Sequence, residues 1–227
     1  MLYLYLALGI ALLGGLLYWL LIITEGTYLG TRVVIFLYDL VATRYDGIKK
    51  LVPAYESFFL GAPLVRALGG NPDPLVLDVA SGTGRLAQAL FAEPGFTGKV
   101  VGVDHSRRML SEALRALRKR AGERLFLIVQ DAAALGFQDA AFDCVTCLEA
   151  LEFMGNPKRV IDEMVRVLKP GGVLLLSNRV GKDAWAFPGR MCGRGRLEGY
   201  LRQLGLEDVH GERWQVHYDL VWAYKPE

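Results

Sequence analysis

Cysteine is scarce in this chain. Three residues in 227, an odd number, give no disulfide framework and fit a reducing compartment. An excess of either charge is also missing: 26 Lys and Arg stand against 24 Asp and Glu, and a net charge of +2 gives no bulk electrostatic case for a nucleic-acid partner. Cys144 and Cys147 form a C-x-x-C, but within a strand that spacing puts the two side chains on opposite faces. The further ligands that a metal needs are not nearby, so no metal site is expected. His210 and His217 read as structural or exposed. Internal repeats and low-complexity tracts are absent.

The most informative absence is local, because Met1–Thr24 carries no charged side chain. As a helix this run spans about 36 Å, enough to cross a hydrocarbon core of about 30 Å with some tilt. A cleaved signal peptide would have a Lys or Arg before a shorter apolar run. Tyr3, Tyr5, Tyr18 and Trp19 lie towards the two ends, where amphipathic rings favour the headgroup layer. Arg32, Arg44, Lys49 and Lys50 follow the run and nothing basic precedes it, so a single-pass anchor with the bulk of the chain on the cytoplasmic side is expected. Three regions result: an anchor at 1–24, an amphipathic linker and helical cap at 25–70, and a main domain at 71–227. The linker, LGTRVVIFLYDLVATRYDGIKKLV, suits either the membrane surface or the domain, and its periodicity does not separate these.

From Leu75 onward, strand-like runs alternate with helical stretches: Leu75–Val79, Val100–Asp104, Leu125–Gln130, Phe142–Leu148 and Val173–Ser177, with helices from about Arg85, Arg107 and Pro157. That alternation predicts an α/β fold with a mostly parallel sheet. Pro170-Gly171-Gly172 is read as the stop of the helix ending near Leu168. Leu206–Trp214 and Val216–Tyr224 are almost contiguous and read as an antiparallel pair at the sheet's edge, which makes seven strands.

The turn LDVASGTGRLA, Leu77–Ala87, fits the G-x-G-x-x-G/A pattern of nucleotide-binding folds, a short pattern that several cofactors share. Three carboxylates at strand ends say more. Asp104 is placed to accept both hydroxyls of a ribose, which suits NAD or any adenosyl ligand. Asp78 stands where a dinucleotide's pyrophosphate would approach, and two like charges there cost several kcal/mol at an effective dielectric constant of about 20. A ligand with an ammonium and a sulfonium gains instead, and S-adenosylmethionine (SAM) is such a ligand. Asp131 is then placed to accept from an adenine amino group.

These residues resemble the class I SAM-dependent methyltransferases. The resemblance runs from roughly Tyr45 to Ser177 through LDVASGTG, GVDHSRRML, QDAAALGF with FDCVTCLEAL, and VLKPGG, in that order. It implies a Rossmann-like sheet and a turn of Asp78, Ala80, Ser81, Gly82, Thr83 and Gly84 around the methionine portion. It further implies Asp104 at the ribose, Asp131 with Ala132 at the adenine edge, His105 and Met109 flanking the adenosine, and Leu148 with Glu149 beside the methyl. Ala80 stands where many members have glycine. TRYDGIKKLV and DVASGTG look similar to quinone-biosynthesis C-methyltransferases and phospholipid N-methyltransferases, although LEALEFMGNP lacks the GLRN-like segment of the quinone enzymes.

Beyond the fifth strand, Asn178–Arg196 interleaves Arg179, Lys182, Arg190, Arg194 and Arg196 with Trp185, Phe187 and Met191. Such a loop, residues 179–196, suits an anionic headgroup layer. Tyr45, Asp46 and Glu149 are the polar candidates near the methyl. The expected function is a membrane-anchored SAM-dependent methyltransferase acting on a lipophilic acceptor, a phospholipid amine or a quinone-like ring. A small hydrophobic thiol or phenol is an alternative acceptor. An NAD-dependent oxidoreductase or a noncatalytic membrane adaptor would use the same fold.

Overall fold

The apolar runs from Leu75 onward become strands in the computed structural model, which describes residues Met1–Glu227. They are β1 (Leu75–Val79), β2 (Lys99–Asp104), β3 (Leu125–Val129), β4 (Phe142–Cys147), β5 (Leu168–Arg179), β6 (Glu207–Arg213) and β7 (Tyr218–Tyr224). They form one sheet in the order β3-β2-β1-β4-β5-β7-β6, in which only β7 runs against its neighbours β5 and β6. The terminal pair closes the edge with its second strand inside. β7, YDLVWAY, is apolar enough to be buried along nearly its whole length, whereas the edge strand β6 exposes most of its residues.

The helices are α1 (Leu2–Tyr18), α2 (Thr31–Val41), α3 (Tyr45–Lys49), α4 (Pro53–Glu56), α5 (Ala62–Ala67), α6 (Arg85–Ala92), α7 (Arg107–Ala116), α8 (Pro157–Val167) and α9 (Arg196–Gln203). Alternate side chains of each central strand feed two cores. Leu77, Val145 and Leu174 meet Ile161 and Met164 of α8 and Leu197 of α9 on one face. Val76, Cys144 and Leu175 meet Leu86 and Leu90 of α6 and Leu64 of α5 on the other. Each such fully buried Leu or Val contributes about 1.5–3 kcal/mol. Cys144 and Cys147 fall in different cores, as period two requires, and both are free thiols.

The largest boundary difference from the sequence reading is at the start of β5, the other strand ends lying within two residues of expectation. α8 stops at Val167, and β5 already begins at Leu168, before Pro170. Phe142 faces Leu168 while Cys144 faces Val173, so the stretch 169–172 bulges out opposite Asp143. Pro170 has no N–H for the ladder, and Gly171 takes the left-handed conformation (φ 70°) that the bulge needs. Lys169 anchors the bulge on Asp143 at 2.7 Å.

At the amino end, α1 continues through a wider helical turn, Trp19–Ile23, into one apolar helix of 22 residues with none buried. It is long and apolar enough to cross a membrane. The chain then folds into the domain: Thr24 and Thr27 are buried, and Gly26 donates to Leu20 O at 2.8 Å. The linker packs on the domain. Val34 of α2 reaches the small core of Phe153, Phe187 and Cys192, and Asp39 accepts from the Ser106 hydroxyl. Its other face leaves Phe36 and Leu40 exposed.

Candidate functional site

The site begins where β1 ends. Ala80, Gly82 and Gly84 all adopt left-handed backbone (φ 57°, 54° and 79°), turning the chain sharply into α6. A Cβ on Gly84 would stand 3.1 Å from Leu117 and 3.2 Å from Ala113, so the turn approaches α7 as closely as glycine permits. Gly82 N donates to Asp104 Oδ2 at 2.9 Å, and Ser106 N donates to Asp104 Oδ1 at 2.8 Å. The β2 carboxylate is thus fixed in place by the first turn and by the cap of α7. Asp78, 3% exposed, has one side-chain partner, the Thr146 hydroxyl at 2.8 Å. Burial pushes its pKa up to about 7.

These elements surround a cavity of about 250 Å³. Of the residues expected at the cofactor, Ala80, Gly82, Asp104, His105, Met109, Asp131, Ala132 and Leu148 line it. Asp78, Ser81, Thr83 and Gly84 stand behind the wall. Ser81 turns toward β2, where its Oγ would lie 2.8 Å from a Cβ on Gly102, and Thr83 donates to Asp46 Oδ1 at 2.5 Å. Sequence reasoning missed Gln130, whose buried Oε1 has no partner and which lines the same wall as Asp131. It also missed the roof. Thr31, Val34, Ile35 and Tyr38 of α2 close the cavity from above, and Phe153, Met154 and Val160 supply an apolar side wall.

Tyr45 and Glu149 line the cavity, while Asp46 is a tether between α3 and the cofactor turn. Glu149 is held in left-handed backbone (φ 51°), a strain typical of functional positions, and its N–H donates to the Ser177 hydroxyl at 2.5 Å. Its carboxylate accepts from Lys49 Nζ (2.6 Å), Arg85 Nη1 (2.5 Å) and Gln215 Nε2 (2.8 Å). Burial alone would raise its pKa, but Lys49 and Arg85 hold it below the usual range. Arg85 also grips Glu56 through two nitrogens, at 2.6 and 2.8 Å, and so locks α4 to α6. Burial, then Glu149, raise the Tyr45 phenol well above its ordinary value, so it remains a donor at neutral pH.

Behind the roof lies a pair that no sequence pattern announced. Tyr38 donates to Glu25 Oε2 at 2.7 Å, and burial raises the pKa of Glu25. Glu25 sits in the turn that ends the apolar helix, itself in left-handed backbone (φ 49°). Deeper still, Glu152, 2% exposed, receives Arg179 at 2.8 Å and the Tyr218 hydroxyl.

That pairing changes the reading of the basic loop. Arg179 is spent on Glu152, Arg194 on Asp219 at 2.6 Å, and Arg190 on the carbonyls of Met154, Gly155 and Thr27. Lys182, Arg196 and Trp185 remain outward, Trp185 being 88% exposed.

The donor set fits SAM. Asp104 offers fixed carboxylate oxygens to a ribose, the orphaned Gln130 Oε1 offers an acceptor to an amino group, and Asp78, behind the turn, offers a buried carboxyl that a cationic ligand would ionise. Residues 77–176 match the model of a methyltransferase domain. A SAM-dependent methyltransferase from Aquifex aeolicus superposes with a TM-score of 0.62 at 21% identity, covering 79% of this chain and 97% of that one. Residues 77–176 thus form a methyltransferase domain of the kind the cofactor motifs resemble, on a fold shared with SAM-dependent methyltransferases.

Within that class it is similar to enzymes of quinone biosynthesis. It is 36% identical over 141 residues to a demethylmenaquinone methyltransferase of Renibacterium salmoninarum, covering 62% of this chain and 56% of that protein. It is 39% identical over 141 residues to a ubiquinone/menaquinone biosynthesis C-methyltransferase of Bordetella avium, covering 60% and 53%. The chain thus spans little more than half the length of these relatives.

Proposed function

We propose that this protein transfers a methyl group from SAM to a lipophilic, quinone-like acceptor drawn from a membrane that α1 spans, with the domain on the cytoplasmic side. One observation carries the reading. The helix that roofs the cofactor cavity, α2, is joined to the apolar helix, none of whose residues is buried, by the short segment Thr24–Gly30. The apolar wall of Phe153, Met154 and Val160 suits a lipophilic ring, and the names of the quinone-biosynthesis relatives support that acceptor class.

When bound, SAM supplies an electrophilic methyl on a cationic sulfur. Asp104 holds the ribose with oxygens already oriented by two amides, and Asp78 balances the cofactor's positive charge. The α2 roof keeps water out. Alignment of acceptor and methyl by such a cavity contributes about 7–11 kcal/mol to lowering the barrier. A phenolic acceptor must lose a proton as its ring carbon attacks. Glu149, kept ionised by its cationic partners, fixes the wall; Tyr38 takes that proton as it passes its own to Glu25, whose raised pKa suits a base.

Deleting Met1–Leu17 tests the link, since it spares Trp19, whose ring stacks on Tyr28 at 5.1 Å. In vesicles carrying a long-chain demethylquinol and labelled SAM, the deletion is expected to lower methylation tenfold or more. Turnover of a water-soluble short-chain analogue should stay within twofold. Undiminished activity on the vesicle-borne substrate would separate the anchor from substrate access.

A further inference from the structure

A second cavity, of about 600 Å³, lies next to the first and shares Gly155 and Asn156 with it. The proposed reaction makes no use of it. Lys158, Arg190 and Arg196 line it, and no acidic residue does. Lys158 lies over the Tyr200 ring at 5.0 Å, and neither it nor Arg196 has a carboxylate partner. Two acids stand at the cavity's rim, each already bonded to a lining residue: Asp162 accepts from the Tyr200 hydroxyl at 2.6 Å and Glu198 from Gly195 N at 2.8 Å. Three like charges around one cavity favour an anion among them.

Two further features add to the cations. α8, capped by Asn156, begins at this cavity, so the positive end of its helix reaches it, whereas the start of α9 is already met by the Glu198 carboxylate. Gly155 and Gly199 line it without an internal reason to be glycine. Neither has a left-handed backbone, and a Cβ on either would meet nothing within 4 Å. Gly199 lies inside α9, where glycine costs about 1 kcal/mol relative to alanine. Bare backbone at these two positions leaves the space beside Lys158 and Arg196 open to an anion.

Its position suggests the anion's source. Arg190, in the cavity wall, donates to Thr27 O at 3.2 Å and lies over the Tyr28 ring at 5.3 Å, and that ring stacks on Trp19 of the apolar helix. The wall is thus tied to the last turns of α1. We propose that this cavity binds the phosphate of an anionic membrane lipid, as a site separate from the cofactor and acceptor. The lipid source rests on the membrane placement proposed above; the anion site does not.

The test uses the full chain in neutral detergent, titrated calorimetrically with dihexanoyl phosphatidic acid, dihexanoyl phosphatidylcholine and inorganic phosphate. Wild type is compared with the double variant Lys158→Gln, Arg196→Gln, and a SAM titration of each protein controls for folding. Saturable binding of phosphatidic acid is expected, weakened tenfold or more in the double variant, with SAM affinity unchanged and no saturable binding of phosphatidylcholine. Absence of saturable binding by both anions, or equal binding by the two proteins, would overturn the site. Inorganic phosphate binding as tightly as phosphatidic acid, with the same loss in the variant, would overturn the lipid assignment and make a soluble phosphate the ligand.

Discussion

Asp78 is kept from water with one hydroxyl as partner, and its titration follows from that. Burial raises its pKa from 3.8 to about 7 in the folded chain. Between those values the folded protein holds a proton that the unfolded chain has released, so this group's effect on stability worsens as pH rises from about 4 to about 7 and is constant above. Asp78→Asn should flatten that slope and raise stability at pH 7.5 by about 1–4 kcal/mol, read from thermal melts across pH. A cationic cofactor favours the carboxylate, so SAM binding near pH 6.5 should release protons, seen as a binding enthalpy that varies with the buffer's ionisation heat. The same enthalpy in all buffers would mean that Asp78 is already ionised. Two residues further on, Ala80 pays for left-handed backbone that costs an L-residue about 1–2 kcal/mol. Ala80→Gly should therefore raise the melting temperature by about 2–4 °C, and a fall would show that the Ala80 methyl contributes packing that outweighs the strain.

At the scale of elements, α2 and α3 depend on a few cross-ties to the cofactor turn. Asp46 holds Thr83, and Lys49 holds Glu149. Asp46→Ala should loosen the roof and raise the KM for SAM about five- to tenfold, while the melting temperature moves by no more than about 3 °C, the two readouts separating a loosened roof from a damaged core. An unchanged KM would make the tether ornamental to binding. The strands were readable from sequence because burial on both faces demands long apolar runs, which β1, β4 and β7 have. The packing of α2 was not readable. It is apolar on two faces, Val34, Ile35 and Tyr38 inward and Phe36 and Leu40 outward, so its period alone favoured neither domain nor membrane. The loop after β5 misled for a related reason: the acids that neutralise Arg179 and Arg194, Glu152 and Asp219, are 27 and 25 residues away.

For the whole molecule, the rule that ligands bind at the carboxyl ends of parallel strands made Asp104 and Asp131 legible from strand boundaries alone, and the structure puts both at the cavity. Glu25 and Gln130 escaped because their roles depend on what folds over them. The only trace of Glu25 in the sequence is a single acid at the foot of a chargeless run, ahead of the first base. The join it occupies also sets how the parts move. Thr24 and Thr27 are buried, Tyr28 donates to Pro188 O at 2.7 Å, and Arg190 closes back on Thr27. There is no slack between α1 and the domain to act as a leash. With α1 in a bilayer as proposed, the cavity keeps one height and one tilt above the surface, so the enzyme meets substrate by sliding within its own leaflet. A lipid-borne acceptor in a facing membrane stays beyond its reach, and the acceptor's abundance per unit of membrane area, rather than per unit of surrounding water, becomes the quantity that governs its rate.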